Sequence, residues 1–507
     1  MQSYDAVPAL RVRGPALRRA LRTVTTAWMV GVVWLALISG SQLKIFASSM
    51  GFNDLAFGVM GALPFLATLG QLLASLLIQR TGGLLKFQFI ECGVIHRLLW
   101  LAVAAIPLVA PIPSTAAVLA LLGVLTASWF LAALSSPPWI TWMGALIPRR
   151  IRGRYFANRE RLCQLIMGVV VLLVGLLIDR VYDSRAGGVQ TTALWTICGL
   201  FALAALFGAA DILLFYRIPE VMPTPRRTDA TRGAEGLGAF LRRMLVEPFA
   251  DRVFRHYVLF SATMTFSMTV AGWYFWRNAL EWLGWSPLVT NGLFLVLGPI
   301  GGITSARMWG RAIDRWGRRP VLFVSSIGAA ACLLPWFFIM PQMGWGGYAL
   351  AAFACLLGAA SWTAVSLAQT GIVLGFADGS GQSRYVAASA VLISLGGVAG
   401  GWVGGGVTQL LEGLQKAPLS LWGLQWNNWH VAFLLATLSR LGGIFWLVGM
   451  PDPGAASAWY MVRLMGVNAY NALVSRLFFP LRAFGWRQSA GRRQVMRGRQ
   501  NKPGPLK

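Results

Sequence analysis

Twelve apolar runs, each long enough to cross a bilayer, dominate this chain and leave few folds open to it. They lie at roughly 25–48, 54–78, 87–110, 114–136, 162–179, 191–215, 256–276, 288–308, 320–340, 347–371, 386–411 and 430–450, and a spanning helix needs about 20 mostly apolar residues. Inside lipid every backbone N–H and C=O must find its partner within the chain, so only helices and closed barrels cross. Runs of this length select helices. Composition agrees, since 56% of the 507 residues are hydrophobic and mean hydropathy is +0.61, leaving too little polar surface for a soluble protein of this size. The expected fold is an all-α polytopic membrane protein with 12 transmembrane helices.

The net charge of +27 would point to nucleic acid in a soluble domain. Placement argues otherwise, because 37 of the 44 Lys and Arg fall in the N-terminus, the loops after even-numbered spans and the C-terminus. The opposite face holds only Lys44, Arg180, Arg185, Arg277 and Lys416. By the positive-inside rule the basic face and both termini are cytoplasmic, with anionic membrane lipid as their partner and no nucleic acid. The basic segment 1–24 shows no cleavage-like site, so no secretory signal peptide is expected. A six-helix bundle at 25–216 is followed by a polar linker at 217–255, a second bundle at 256–450 and a basic tail at 451–507. Within the tail, 458–487 mixes aromatics with Arg463, Arg476 and Arg482 and reads as an amphipathic helix lying on the inner leaflet. The 39 arginines against five lysines suggest a GC-rich bacterial genome, hence a bacterial cytoplasmic membrane.

The two bundles read as duplicates. Arg80 and Arg315, Gly82 and Gly317, and Pro64 and Pro299 all differ by 235, "RYFA" at 154–157 returns as "RYVA" at 384–387, and "GFND" at 51–54 aligns with "GWSP" at 284–287 at an offset of 233. Each of the last pair places a small polar residue before a span, where it can cap the first turn. Two six-helix halves in parallel repeat are a known transporter arrangement.

Here a resemblance becomes specific. The stretch "GRAIDRWGRRPVL" resembles the loop signature of the major facilitator superfamily, with Gly310, Asp314, Arg315, Gly317, Arg318 and Arg319 at the expected places. The first-half copy, "SLLIQRTGGLLKF", is degraded, with Gln79 where the acid belongs and Gly83 and Leu84 replacing the basic pair. The segment "PPWITWMGALIPRRIRGRYFANRE" is also similar to the loop between helices 4 and 5 in bacterial members. The resemblance covers about 25–450 and implies two pseudo-symmetric six-helix bundles that work as a monomer. It also implies that Asp314 latches the halves in one conformation. A helix N-terminus carries about half a positive charge to receive it, by pseudo-symmetry the start of helix 5 near Tyr155 to Arg161. The alternative is an aspartate solvated among arginines.

The same resemblance makes helices 1, 4, 7 and 10 the lining of a central cavity. Those spans carry no carboxylate, only aromatics and polar handles: Trp34 and Gln42, Trp129, Trp273 and Tyr274, Trp362 and Gln369. Such walls suit a small or amphiphilic ligand, although each tryptophan alone is equally explained by packing or lipid contact. Lys44 and Arg277 differ by 233 and form a pseudo-symmetric cation pair, read as an anion-selective element with no acid to neutralise it. Snorkelling at the interface is the alternative. Glu91, Arg97, Asp211 and Arg440 lie within spans, where structural pairing or snorkelling is expected. The run "GGVAGGWVGGG" at 396–406 allows close helix packing.

Catalysis has no foothold. No nucleophile elbow, P-loop or zinc signature appears, and Cys92, Cys163, Cys198, Cys332 and Cys355 lack metal-ligand or redox spacing. No cofactor, metal or enzymatic activity is expected. The sequence points to a secondary transporter of a small solute, anionic or amphiphilic. A drug or lipid exporter of the same fold and a non-transporting sensor or scaffold are the alternatives.

Overall fold

Helices α1 (Gly14–Ile38), α2 (Asp54–Ala67), α3 (Leu85–Val109), α4 (Thr115–Leu146), α5 (Arg149–Asp179) and α6 (Thr191–Leu213) make the first half. The second comprises α7 (Arg252–Trp282), α8 (Pro287–Trp316), α9 (Arg318–Ala331), α10 (Trp345–Gly375), α11 (Gln382–Leu410) and α12 (Asn428–Val448). The computed structural model describes residues 12–71, 73–74, 85–184, 186, 188–221, 242, 246–376, 382–421, 423–452, 455, 457, 459–461 and 463. Most of the linker, the first-half loop at 75–84 and nearly all of the surface helix expected at 458–487 therefore lie outside the described residues. Eleven of the described helices are long and apolar enough to cross a membrane, and α2 is a shorter apolar one.

Several helices outrun their apolar cores. The first begins at Gly14, inside the segment expected as a basic N-terminus, with Pro15 in its first turn and Ala20 and Val24 buried. Proline there gives up no intrahelical bond. Likewise α5 starts at Arg149, so the basic stretch that hydropathy leaves in a loop is helical. Long arginine side chains reach water from a helix without breaking it.

The duplication is visible in the backbone. Gly51 and Gly284, at the offset of 233, both turn with positive φ, at 97° and 63°. Asn53 Oδ1 then accepts from the Ala56 N–H at 2.9 Å to cap α2, and Ser286 Oγ from the Val289 N–H at 3.3 Å to cap α8. The same offset relates interruptions in the first helix of each half. Helix α1 stops at Ile38 and resumes as Ser41–Met50, while α7 is interrupted at Gly272 and Trp273. Gln42 Nε2 donates to the Ala36 and Leu37 carbonyls at 2.7 and 3.3 Å, which the first break frees.

The glycine run of α11 packs on both sides. A Cβ at Gly400 would meet the Phe266 carbonyl of α7 at 2.3 Å, and one at Gly401 the Gly58 carbonyl of α2 at 2.5 Å. The halves thus meet backbone to backbone along α2 and α11. Gly58→Ala would place its Cβ 2.3 Å from the Gly401 oxygen, whereas Gly406 has nothing within 4 Å. Overpacking costs about 1–3 kcal/mol. Thermal unfolding in detergent should show a lowered Tm for Gly58→Ala and none for Gly406→Ala.

Candidate functional site

At the end opposite the basic loops, the two halves are tied by charge. Asp54, the first residue of α2, is buried. Its Oδ1 pairs with Arg277 Nη1 and accepts from Trp429 Nε1 at 3.0 Å. Its Oδ2 accepts from Asn428 Nδ2 at 2.6 Å and from Gln415 Nε2 at 3.1 Å. Its carbonyl accepts from the Tyr274 hydroxyl at 3.0 Å. Arg277 turns its other edge to Glu281, donating through Nε at 3.1 Å and Nη2 at 2.9 Å. The second Glu281 oxygen binds Lys44 Nζ at 2.6 Å and accepts from Ser48 Oγ at 3.3 Å. Two cations and two carboxylates alternate, one of each sign from each half. Burying charge is tolerable only when it is paired and hydrogen-bonded, and here both conditions hold.

Around this cluster, Ser41 N–H donates to Asn291 Oδ1, Leu288 N–H to Asp179 Oδ1 and Ser184 Oγ to the Gly284 carbonyl, at 2.9, 2.9 and 3.0 Å. Leu55 N–H donates more weakly to Gln409 Oε1 at 3.4 Å. Every one of these hydrogen bonds and ion pairs between described residues of the two halves lies at this one end.

Each half also holds a guanidinium in mid-span. In the first, Arg97 of α3 pairs with Asp211 of α6 at 3.0 Å and lies 3.5 Å from the Trp34 ring centroid. His96 Nδ1 meets Ser128 Oγ of α4 at 2.7 Å. His96, Arg97 and Asp211 border a cavity of ≈ 190 Å³ that Trp28, Ser135 and Trp139 also line. In the second half, Arg440 of α12 donates to Ser267 Oγ at 3.3 Å and to the Ala329 carbonyl, and lies 5.4 Å from the Trp362 ring.

A model of the Major Facilitator Superfamily matches residues 23–401. The chain belongs to the Major Facilitator Superfamily. No curated protein matches the sequence. The solved structure of the nucleoside transporter NupG is similar at TM-score 0.55 and 13% identity, covering 85% of this chain and 98% of that one. The inward-open xylose transporter XylE from E. coli gives 0.57 and 15%, covering 88% and 99%. A bacterial homolog of the human lysosomal transporter Spinster gives 0.54 and 14%, covering 89% and 98%. This superfamily member shares their fold, with twelve helices in two halves, and is a multi-pass membrane protein.

Of the residues expected to face a substrate, the structure gathers some and scatters others. Lys44, Arg277 and Tyr274 sit together in the charged cluster. The expectation of an unneutralised cation pair is corrected, because α7 continues to Trp282 and brings in Glu281, while Asp54 meets Arg277 from across the seam. Trp273 packs on Phe57 at the α2–α7 contact, 6.2 Å between centroids. Trp34 lies beneath Arg97, Trp362 beside Arg440, and Gln42 covers the α1 break. Gln369 Nε2 donates to Ser261 Oγ at 2.8 Å. Trp129 is exposed and joins none of these groups. The mid-span pairing expected for Arg97 and Asp211 is present.

On the basic face, Gly317 takes a φ of 93° between α8 and α9, and Arg315 lies 5.4 Å from the Trp316 ring. Gly310 has open space around it. Asp314 is exposed and makes no hydrogen bond or ion pair with the described residues. The anion at the N-terminus of α9 is instead Asp452, whose Oδ2 accepts from the Arg318 and Arg319 N–H groups at 2.9 Å each. Arg319 Nη2 reaches the Val448 carbonyl at 2.6 Å, so this turn is tied to the end of α12.

Proposed function

We propose that this protein is a secondary transporter that moves a small anionic or amphiphilic solute by alternating access. In this reading the basic face is cytoplasmic, in a bacterial cytoplasmic membrane. The observation that carries the proposal is the concentration of these cross-half polar contacts at the non-basic end. A pair of rigid bundles tied by charge at one end is one state of a rocking mechanism. The cluster of Lys44, Asp54, Arg277 and Glu281 is then the outer gate, closed here, and the cytoplasmic end is the open one. Its breaking and re-forming would alternate access to the cavity. Radiolabelled organic anions offered to proteoliposomes test the reading, and an absence of protein-dependent flux across the panel would leave a sensor or scaffold as the better account.

The gate also gives Asp314 a role. With the cytoplasmic end open, the start of α5 is out of reach, and Asp314 has no partner among the described residues. In the opposite state it docks on that helix terminus, while Asp452 holds α9 in both states. Asp314→Asn should therefore leave Tm unchanged and disfavour the outward-open state, slowing maleimide labelling of single cysteines at the outer rim. Asp452→Ala removes a cap and should lower Tm by the equivalent of about 1 kcal/mol without that bias. Unchanged labelling in Asp314→Asn refutes the latch.

A further inference from the structure

Four buried donor atoms without an acceptor gather on the first half: the indole Nε1 of Trp28 and of Trp139, and Nε and Nη1 of Arg159. They come from α1, α4 and α5. The guanidinium carbon lies 4.3 Å from the Trp28 ring centroid, 4.8 Å from Phe156 and 5.9 Å from Trp139, and the two indoles meet edge to face at 5.4 Å. The rings hold the cation in position and leave Nε and Nη1 without an acceptor. Dry donors are costly, most of all on a charged group. No carboxylate among the described residues pairs with Arg159. Asp211 is taken by Arg97, and the neighbouring Glu160 accepts from Gln164 at 2.8 Å. Trp28 and Trp139 also line the ≈ 190 Å³ cavity, and on the basic side Arg18, Arg22 and Tyr155 border a second groove. Cations thus lead from the basic rim to the cavity.

We propose that Arg159, Trp28 and Trp139 form the anion-binding end of a ligand site in the first half, with the ligand's apolar body entering the adjoining cavity. The site takes a carboxylate or phosphate, which can accept from the guanidinium fork and both indoles at once. This rests on the transport reading and deepens it, naming an organic anion as the substrate class. It also places anion recognition away from Lys44 and Arg277, whose charges are already met by Asp54 and Glu281. A free aromatic carboxylate and an anionic lipid headgroup offer the same chemistry.

Equilibrium binding of radiolabelled 1-naphthoate to the purified full chain separates these cases, with 1-naphthylmethanol as the neutral control and phosphatidylglycerol as competitor. Naphthoate should bind and the alcohol far less. Arg159→Gln should lose about tenfold or more in affinity, with Arg159→Lys recovering part of it. Trp28→Phe and Trp139→Phe, which keep a ring and remove the N–H, should each weaken binding severalfold, and they carry the test if Arg159→Gln fails to fold. Displacement of naphthoate by phosphatidylglycerol assigns the site to lipid headgroups, and binding that survives it assigns the site to free anions. Equal naphthoate affinity in wild type and Arg159→Gln, or no binding of either probe to wild type, overturns the site. Arg159-dependent binding without flux in proteoliposomes overturns the transport reading alone, and flux unchanged by Arg159→Gln overturns the site alone.

Discussion

Asp54→Asn should unlock the non-basic end of the protein. The Asp54 carboxylate accepts from Arg277 of α7, from Asn428 and Trp429 of α12, and from Gln415 in the segment between α11 and α12, all in the opposite half. An amide brings its own N–H donors to a site already crowded with donors, and it removes one of only two charges that neutralise Lys44 and Arg277. Breaking a buried pair by deleting one partner costs about 3–5 kcal/mol. That cost falls on the closed state alone, because once the halves part Arg277 is free to meet water. Inverting a 99:1 population takes about 5.5 kcal/mol, so the substitution should turn a locked end into a mixture of closed and open. Ser41 is fully buried at the seam, and Ser41→Cys supplies the probe. An impermeant maleimide added from the non-basic side should label it at least about tenfold faster in the Asp54→Asn background. An unchanged rate in a folded protein would remove the cluster's role as a gate. Glu281→Gln, which leaves the buried Lys44 without its partner, should act in the same direction.

The twelve helices were legible because hydrophobic length is a strong and local signal in a chain that must satisfy its backbone without water. The repeat was legible too, and its offset of 233 singled out Lys44 and Arg277, which the fold brings into one cluster. Their chemistry was not. Glu281 lies beyond the apolar run at 256–276, so a hydropathy cut discarded it, although Arg277 and Glu281 keep the i, i+4 spacing of a helical ion pair. The same offset pairs Glu281 with Ser48, and those two touch. Asp54 reads locally as the first residue of a helix, while its partners Asn428 and Trp429 lie more than 370 positions away. Nothing local announces Asp452 as the cap of α9 either, since the contact spans 134 positions. Trp28 and Trp139 are two among 23 tryptophans, and Arg159 stands in a basic run that looks like a solvated loop. Only tertiary packing shows that its Nε and Nη1 are left without acceptors.

Asp211→Asn should fail differently, by destabilising the first half instead of rebalancing two states. Arg97 and Asp211 are both largely buried, and their partners Trp34, Gly31 and Gly208 belong to the same half. Both partners belong to one bundle, so rocking of one bundle against the other does not part them and their loss is felt in both states. Nor can the site collapse around a replacement. A Cβ at Gly31 would lie 2.3 Å from Asp211 Oδ2, and one at Gly208 2.7 Å from both Arg97 Cδ and Trp34 Cδ1. Deleting one partner should cost about 3–5 kcal/mol, and placing a lone charge at a helix centre in lipid costs about 2.5–3.5 kcal/mol. Against a total stability of about 5–15 kcal/mol, either figure should appear as a sharply lower Tm and loss of the monodisperse peak in detergent. The two single variants should also be unequal. Arg97→Met leaves a carboxyl that binding a proton can neutralise, a route closed to the guanidinium that Asp211→Asn strands. The pair Arg97→Met, Asp211→Leu removes both charges at similar volume and should recover most of the loss. Equal Tm for wild type and Asp211→Asn would make the buried pair energetically idle, and a double variant worse than either single one would mean the charges act beyond their mutual neutralisation.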